Sequence, residues 1–277
     1  ARLSDTLSEI AGTQFATPDL VAVTMTAELA DCFDTKEQGV QSVIAAVRAA
    51  FPAIPCRFWL TTGEFANADA AAELPTLVAA ANWHALATWA GRAVPSGPAL
   101  LIDIGSTTTD IIPLIDGRPA STGLTDVERL LAGELVYCGV GRTPVSALCH
   151  TVPLRNQLCP VAAEHFATIA DAFLVQGVYA EDADACDTAD GRSFTVAHSR
   201  NRLAHMVCCD QTELSEHELD GIAEAIIEQA VARIGNALSQ VCQQLQQASS
   251  TPPALILSGS GAFLAERVVG EHGNQPF

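Results

Sequence analysis

The residues with the clearest capacity for chemistry are consecutive: Asp103-Ile104-Gly105-Ser106-Thr107-Thr108-Thr109-Asp110. Residues 99–103 ahead of them read as a buried strand ending in a carboxylate, and residues 110–115 read as its return. Gly105 has no side chain, so the backbone can turn there and its amide can approach an anion closely. Ser106, Thr107, Thr108 and Thr109 add hydroxyls and successive amides, a neutral donor cradle suited to phosphate oxygens. Asp103 and Asp110 bracket the cradle. Paired carboxylates beside a phosphate suit a hydrated Mg2+ ion, which prefers oxygen ligands and keeps several waters. Asp103 and Asp110 are therefore the expected catalytic pair and the expected Mg2+ ligands, through water. The plainer alternative is an ordinary β-hairpin with a threonine-rich turn.

A second stretch, Leu255-Ile256-Leu257-Ser258-Gly259-Ser260-Gly261-Ala262, runs from a strand through a small-residue loop into a helix. Amides at a helix start attract phosphate or a nucleotide. Ser258, Gly259, Ser260 and Gly261 thus join the phosphate-binding candidates. Their weight comes from following the first motif in the order strand, loop, helix.

The elements that must position these loops are legible around them. Residues 1–12 read as a helix, 20–26 as a strand, 36–50 as a helix and 56–60 as a strand. An alanine-rich helical stretch spans 69–90 with Pro75 near a helix start. Alternating strand and helix predicts an α/β layer. Residues 93–98, rich in Pro, Gly and Ser, read as a linker, and Asp116-Gly117 as a tight hairpin turn. The two expected domains are a first α/β domain over 1–95 and a second over 96–277. The second carries a mainly helical insertion at about 126–250, with an acidic loop at 181–191 and a long amphipathic helix, or a pair, over 216–247.

The formal charge is −18, and Lys36 is the single lysine among fourteen basic residues. Such a surface repels nucleic acid and anionic lipid, so neither is expected as a partner. No apolar run approaches the ~18 residues that span a bilayer. The N-terminus lacks the basic start and apolar stretch of a signal peptide. The nine cysteines include no C-x-x-C pair and read as reduced thiols, so a cytoplasmic location is expected. The spacing of Cys138, Cys149, His150 and Cys159 matches no structural zinc pattern.

The Asp103 hairpin and the late Gly259 loop together resemble the actin, chaperone-ATPase and sugar-kinase superfamily, a two-domain α/β (ribonuclease H-like) fold around a central cleft. That resemblance implies a first phosphate hairpin ahead of residue 1, so an N-terminal segment is expected to be missing. Within the superfamily the chain resembles the hydantoinase A/oxoprolinase-related group, and more narrowly the proteins encoded with tetrahydromethanopterin-linked one-carbon transfer genes. The stretches that carry this, beside the hairpin, are 23–29, 81–83, 133–137, 141–144, 164–168 and 187–191.

Archaeal members of that narrower group are furan-coupling synthases of methanofuran assembly. They join a furanmethyl diphosphate to a phenol and release diphosphate. The resemblance therefore implies an Mg2+-dependent alkyl transfer on a small-molecule diphosphate, with ATP a less favoured ligand. Glu28 is the candidate base, and Asn82 and Arg142 are candidate substrate-binding residues. The open alternatives are an ATP-dependent kinase or oxoprolinase-type hydrolase acting on a nucleotide, and a non-catalytic scaffold. A homodimer is left open as an assembly state.

Overall fold

A computed structural model of the chain describes residues 2–14 and 18–272. The fold is mixed α/β, and its contacts divide it into two units. The first unit holds the chain up to Leu100 together with Ile112–Glu134, and the second holds Leu101–Ile111 together with the chain from Leu135 onward.

The first unit opens with α1 (Arg2–Gln14), β1 (Val21–Val23), α2 (Lys36–Ala50), β2 (Cys56–Trp59) and β3 (Phe65–Ala66). β1 and β2 pair in parallel, Val21 with Cys56 and Val23 with Phe58, so the chain between them must cross over, and α2 makes the crossing. Thr35 caps α2 by accepting the amide of Gln38 at 3.2 Å. The apolar spacing of Val40, Val43, Ile44 and Val47 buries one face of α2 in a core shared with Phe58 and Met25. The antiparallel partner β3 escapes a periodicity reading because two residues carry no period.

The expected 69–90 helix is three helices: α3 (Ala68–Glu73), α4 (Pro75–Val78) and α5 (Asn82–Ala90). Pro75 cannot continue α3 and starts α4 instead. The positive φ of Ala80, +48°, turns the chain again before α5.

Next come β4 (Pro98–Ile104), β5 (Thr109–Ile115), β6 (Arg118–Pro119) and α6 (Asp126–Ala132). β4 and β5 are buried almost throughout, as their apolar runs require. The 93–98 stretch expected as a linker is pinned. Gly97 donates to the Asp116 carboxylate at 2.8 Å, and the Asp116 amide donates back to the Gly97 carbonyl at 3.0 Å. A capping box of Thr125 and Glu128 opens α6. Two buried charges complete this unit. Arg129 stacks over the Trp83 ring at 4.0 Å and donates to the Glu134 carbonyl at 3.1 Å. Glu134 accepts both the amide and the hydroxyl of Thr122.

The second unit adds β7 (Leu135–Val136), α7 (Val145–Leu148), β8 (Thr151–Leu154), β9 (Gln157–Pro160), α8 (Ile169–Val175), α9 (Val196–His205), α10 (Glu216–Ala248), β10 (Ala254–Ser258) and α11 (Ala262–His272). The β8–β9 hairpin lies inside the stretch expected to be mainly helical. Its turn residues, Arg155 and Asn156, have φ of +51° and +60°, a geometry usually announced by glycine, and neither residue here is one. The 216–247 segment is a single helix, opened by a capping box of Ser215 and Glu218. Leu219, Ile222, Ala223, Ile226, Ala230, Ile234 and Leu238 form its buried stripe. Arg267 ties α11 to α10 through Glu224 and Glu228. The principal sheet runs in the order β10-β4-β5-β6, with β7 also paired to β5. Among the described residues no helix is long and apolar enough to cross a membrane.

Candidate functional site

The turn between β4 and β5 is closed by one hydrogen bond, from the Gly105 amide to the Thr108 carbonyl at 2.9 Å. A second loop, residues 138–143, lies directly against it. Val140 donates to the Gly105 carbonyl at 3.0 Å, while Gly141 and Arg142 donate to the Ser106 carbonyl at 2.9 and 2.8 Å. The carbonyls of Gly105, Ser106 and Thr108 are thereby occupied. Among the described residues no acceptor takes the amides of Ser106, Thr107 or Thr108. Ser106 and Thr107 are exposed and Thr108 is half-buried. Three open amides beside three occupied carbonyls give the turn a surplus of donors, an arrangement that suits an anion.

The supporting loop can come this close only because Gly139 lacks a side chain. A Cβ there would stand 2.5 Å from the Gly105 carbonyl oxygen and 2.6 Å from the Thr107 nitrogen. Thr143 staples the loop, its hydroxyl accepting the Gly139 amide at 2.9 Å and donating to the Gly139 carbonyl at 3.0 Å. Gly105 itself is different. A Cβ there would meet only the Thr108 carbonyl oxygen, at an ordinary 3.5 Å. The protein's own packing does not require a glycine at that point.

The late loop meets the same turn. Ser258 donates its hydroxyl to Asp103 Oδ1 at 2.5 Å. Gly259, at φ +86°, would place a Cβ 2.9 Å from that oxygen and into the Ile104 carbonyl. The Gly261 amide donates to the Ile104 carbonyl at 2.8 Å.

These bonds give donors at three of the expected phosphate-binding residues partners within the chain. The Ser258 hydroxyl orients Asp103, the Gly261 amide is bound to β4, and the Thr109 hydroxyl is buried against the Cys138 carbonyl at 2.6 Å. Gly259 and the exposed Ser260 remain beside Asp103. Asp103 is half-buried and Asp110 buried, on adjacent strands flanking the turn. Two carboxylates fit a metal held mainly by water. Among the described residues no group of three or more acidic, His or Cys side chains gathers into a fuller metal site. All nine cysteines are free, and burial pushes Cys138 and Cys149 up to about 11, away from the thiolate form.

Arg142 also reaches this region. Its backbone supports the turn, and its exposed guanidinium stands 3.7 Å from the Asp187 carboxylate. Glu28 and Asn82 belong to the first unit. The strand expected over 20–26 stops at Val23, and Glu28, the candidate base, lies in the loop before α2. It is buried at 2% exposure, with Oε2 lacking a hydrogen-bond partner. Desolvation raises its carboxyl pKa, against the lowering effect of its own amide, Lys36 and the Ala80 amide. Asn82 is the exposed first residue of α5.

Beside Ser106 opens a cavity of about 560 Å3, lined on one side by Tyr179 and Phe194 and on another by Arg142 and Asp187. The sequence pointed to Arg142 on one wall but not to the aromatic wall of Tyr179 and Phe194. Tyr179 packs edge-on against Phe173 and Phe263, and its hydroxyl donates to the Val140 carbonyl at 3.3 Å. The acidic loop that carries Asp187 is anchored from beneath. Arg202, fully buried, bonds Asp171 at 2.8 Å, Asp190 at 3.0 Å and Ser199 at 2.9 Å. One signal was available for that clamp: a basic residue on α9 in a chain with few of them.

A mixed α/β protein whose small-residue loops converge on one strand-turn-strand is the class that fold and site define. A family model described as hydantoinase/oxoprolinase matches residues 19–275, and the chain belongs to that family. It is 36% identical, over 208 residues, to the (4-{4-[2-(gamma-L-glutamylamino)ethyl]phenoxymethyl}furan-2-yl)methanamine synthase of Methanocaldococcus jannaschii, covering 75% of this chain and 62% of that protein. It is 40% identical over 124 residues to the synthase of the same name from Methanococcus vannielii, covering 45% of this chain and 55% of that one. The chain thus spans less than two thirds of the length of these curated relatives. A nucleotide-free acetone carboxylase structure, from work on ATP-dependent acetone carboxylation, overlays 84% of this chain and 35% of its own at a TM-score of 0.55 and 13% identity. That likeness is one of fold.

Proposed function

We propose that the protein is a transferase that moves a furanmethyl group from diphosphate to a phenolic oxygen, in assembly of a methanofuran-like one-carbon carrier. The observation that carries this reading is the open row of amides at Ser106, Thr107 and Thr108, beside Gly105. The names of the two synthase relatives support the product class, a furan joined to a phenol through an ether methylene.

In the proposed reaction the phenol oxygen bonds to the furan methylene carbon. The carbon–oxygen bond to diphosphate breaks, with its electron pair leaving on diphosphate, which takes up the phenolic proton. The turn amides and the Ser106 and Thr107 hydroxyls hold the leaving group where its charge grows. Asp103, fixed by Ser258, and Asp110 would hold Mg2+, which supplies further neutralisation of the diphosphate charge. The furfuryl carbon tolerates the positive charge that develops as the bond opens.

The same reading places the chain in the actin-like ATPase and sugar-kinase superfamily. Its support is the order of the phosphate-type hairpin and the glycine-rich strand-to-helix loop, bonded to each other across 155 residues of sequence. A nucleotide-using kinase or hydrolase is the second reading, favoured by the position of Gly259 and Ser260 just ahead of α11. Calorimetric titration with Mg2+ present separates the two. Diphosphate binding that Asp103→Ala removes, with none for a non-hydrolysable ATP analogue, is expected. Clear binding of the ATP analogue would return the chain to the second class.

A further inference from the structure

The cavity beside the turn has chemistry that the leaving group does not use. Its volume, about 560 Å3, is that of a site for a drug-sized molecule and far exceeds a five-membered ring. One wall is aromatic. Tyr179 and Phe194 have ring centroids 6.3 Å apart, and Tyr179 is packed by Phe173 at 5.7 Å and Phe263 at 6.0 Å. The wall is also held in register with the turn. Tyr179 donates to the Val140 carbonyl, and Val140 donates to the Gly105 carbonyl. A ring resting on that wall therefore lies at a fixed offset from the turn's open amides.

The other wall carries one cation. The Arg142 guanidinium is 71% exposed, and its carboxylate neighbour Asp187 is 97% exposed. So open a pair contributes little and gives way easily. Asp187 and the acidic loop behind it oppose a polyanion at this point. A single carboxylate can take the place of Asp187 on the guanidinium fork, where two parallel hydrogen bonds favour it over a point contact. The loop itself need not unfold for this, because Arg202 holds it through Asp190.

We propose that this cavity is the acceptor's site and that it selects an aromatic ring bearing a carboxylate tail, the ring on Tyr179 and Phe194 and the acid on Arg142. The assignment rests on the transfer reading for the identity of the partner reaction, and on the cavity alone for the ligand class.

The test is calorimetric titration of the intact chain with 3-(4-hydroxyphenyl)propanoate and with 4-ethylphenol, each with and without Mg2+ and diphosphate. The acid is expected to bind at least about tenfold more tightly than the neutral phenol. Arg142→Gln, a change at an exposed side chain, erases that preference. Phe194→Leu, which keeps apolar volume and removes the ring face, weakens both ligands several-fold by loss of ring–ring contact. No binding of the acid under either condition overturns the proposal, as does binding that neither variant changes. AMP binding that Phe194→Leu weakens, with none for the acid, overturns it in favour of a nucleobase. Diphosphate binding without acid binding sinks the cavity assignment and leaves the transfer reading standing. Acid binding without diphosphate binding does the reverse.

Discussion

Ser258 and Asp103, 155 residues apart in sequence, share a hydrogen bond of 2.5 Å in which the serine hydroxyl donates to the carboxylate. The bond joins β10 to β4 at the edge of the phosphate-type turn, and it fixes which way Asp103 presents its oxygens.

Removing it should therefore show in ligand binding. Ser258→Ala deletes one hydrogen bond to a charged acceptor, an interaction worth about 1.5–3 kcal/mol. Titration with diphosphate and Mg2+ should show roughly tenfold or greater weakening. Asp103→Asn should weaken binding further, because it also removes charge. An unchanged affinity in Ser258→Ala would separate Asp103 from the ligand.

The clamp beneath the acidic loop should behave oppositely. Arg202 is fully buried against Asp171 and reaches Asp190 and Ser199. Arg202→Met leaves Asp171 buried without its cation, a loss of about 3–5 kcal/mol. The melting temperature should fall by several degrees, and protease should cut within residues 181–194 before it cuts elsewhere. Arg142→Gln, at an exposed pair, should leave both measures unchanged.

How much of this is legible in the sequence depends on how locally each feature is encoded. The strand, turn and strand around Gly105 could be read because apolar runs and a Gly-Ser-Thr turn are contiguous, and α2 because its buried stripe repeats at helical spacing. The β8–β9 hairpin could not, since Arg155 and Asn156 adopt a glycine-like geometry without glycine. The site divides along the same line. The turn's donors were visible, but its support was not. Val140, Gly139 and Tyr179 act through backbone contacts and through aromatic partners scattered from Phe173 to Phe263. Thr109 shows the limit within the motif itself. Its hydroxyl looks like its neighbours' in the sequence, yet β5 turns it inward to the Cys138 carbonyl.

Glu28 gives a pH signature in the first unit. Burial raises its carboxyl pKa above the ordinary 4.5. Between that value and the raised one, the folded state keeps a proton that the unfolded chain has released. Stability contributed by this group is therefore present at low pH and declines as pH rises through the folded pKa. Glu28→Gln removes the titration while keeping the shape. Its melting temperature relative to the parent should be higher at pH 8 than at pH 5. A difference that stays constant over this range would mean that Glu28 titrates normally.

The sharpest separation of binding from folding lies between two glycines of the same site. Gly139→Ala drives a Cβ into the backbone of the turn at 2.5–2.6 Å, where no flexible side chain can yield. Overpacking of this kind costs about 1–3 kcal/mol, and both the melting temperature and diphosphate affinity should fall together. Gly105→Ala places its methyl group at 3.5 Å from the nearest atom, an ordinary contact, so the fold should be retained with its melting temperature unchanged. The methyl group would, however, occupy the space beside the open amides of Ser106, Thr107 and Thr108. Diphosphate binding should drop by about tenfold or more in a protein that melts normally, as the anion can no longer close to hydrogen-bond distance of about 2.9 Å. If Gly105→Ala binds diphosphate as the parent does, the anion does not sit on this turn, and the amides there are merely solvated.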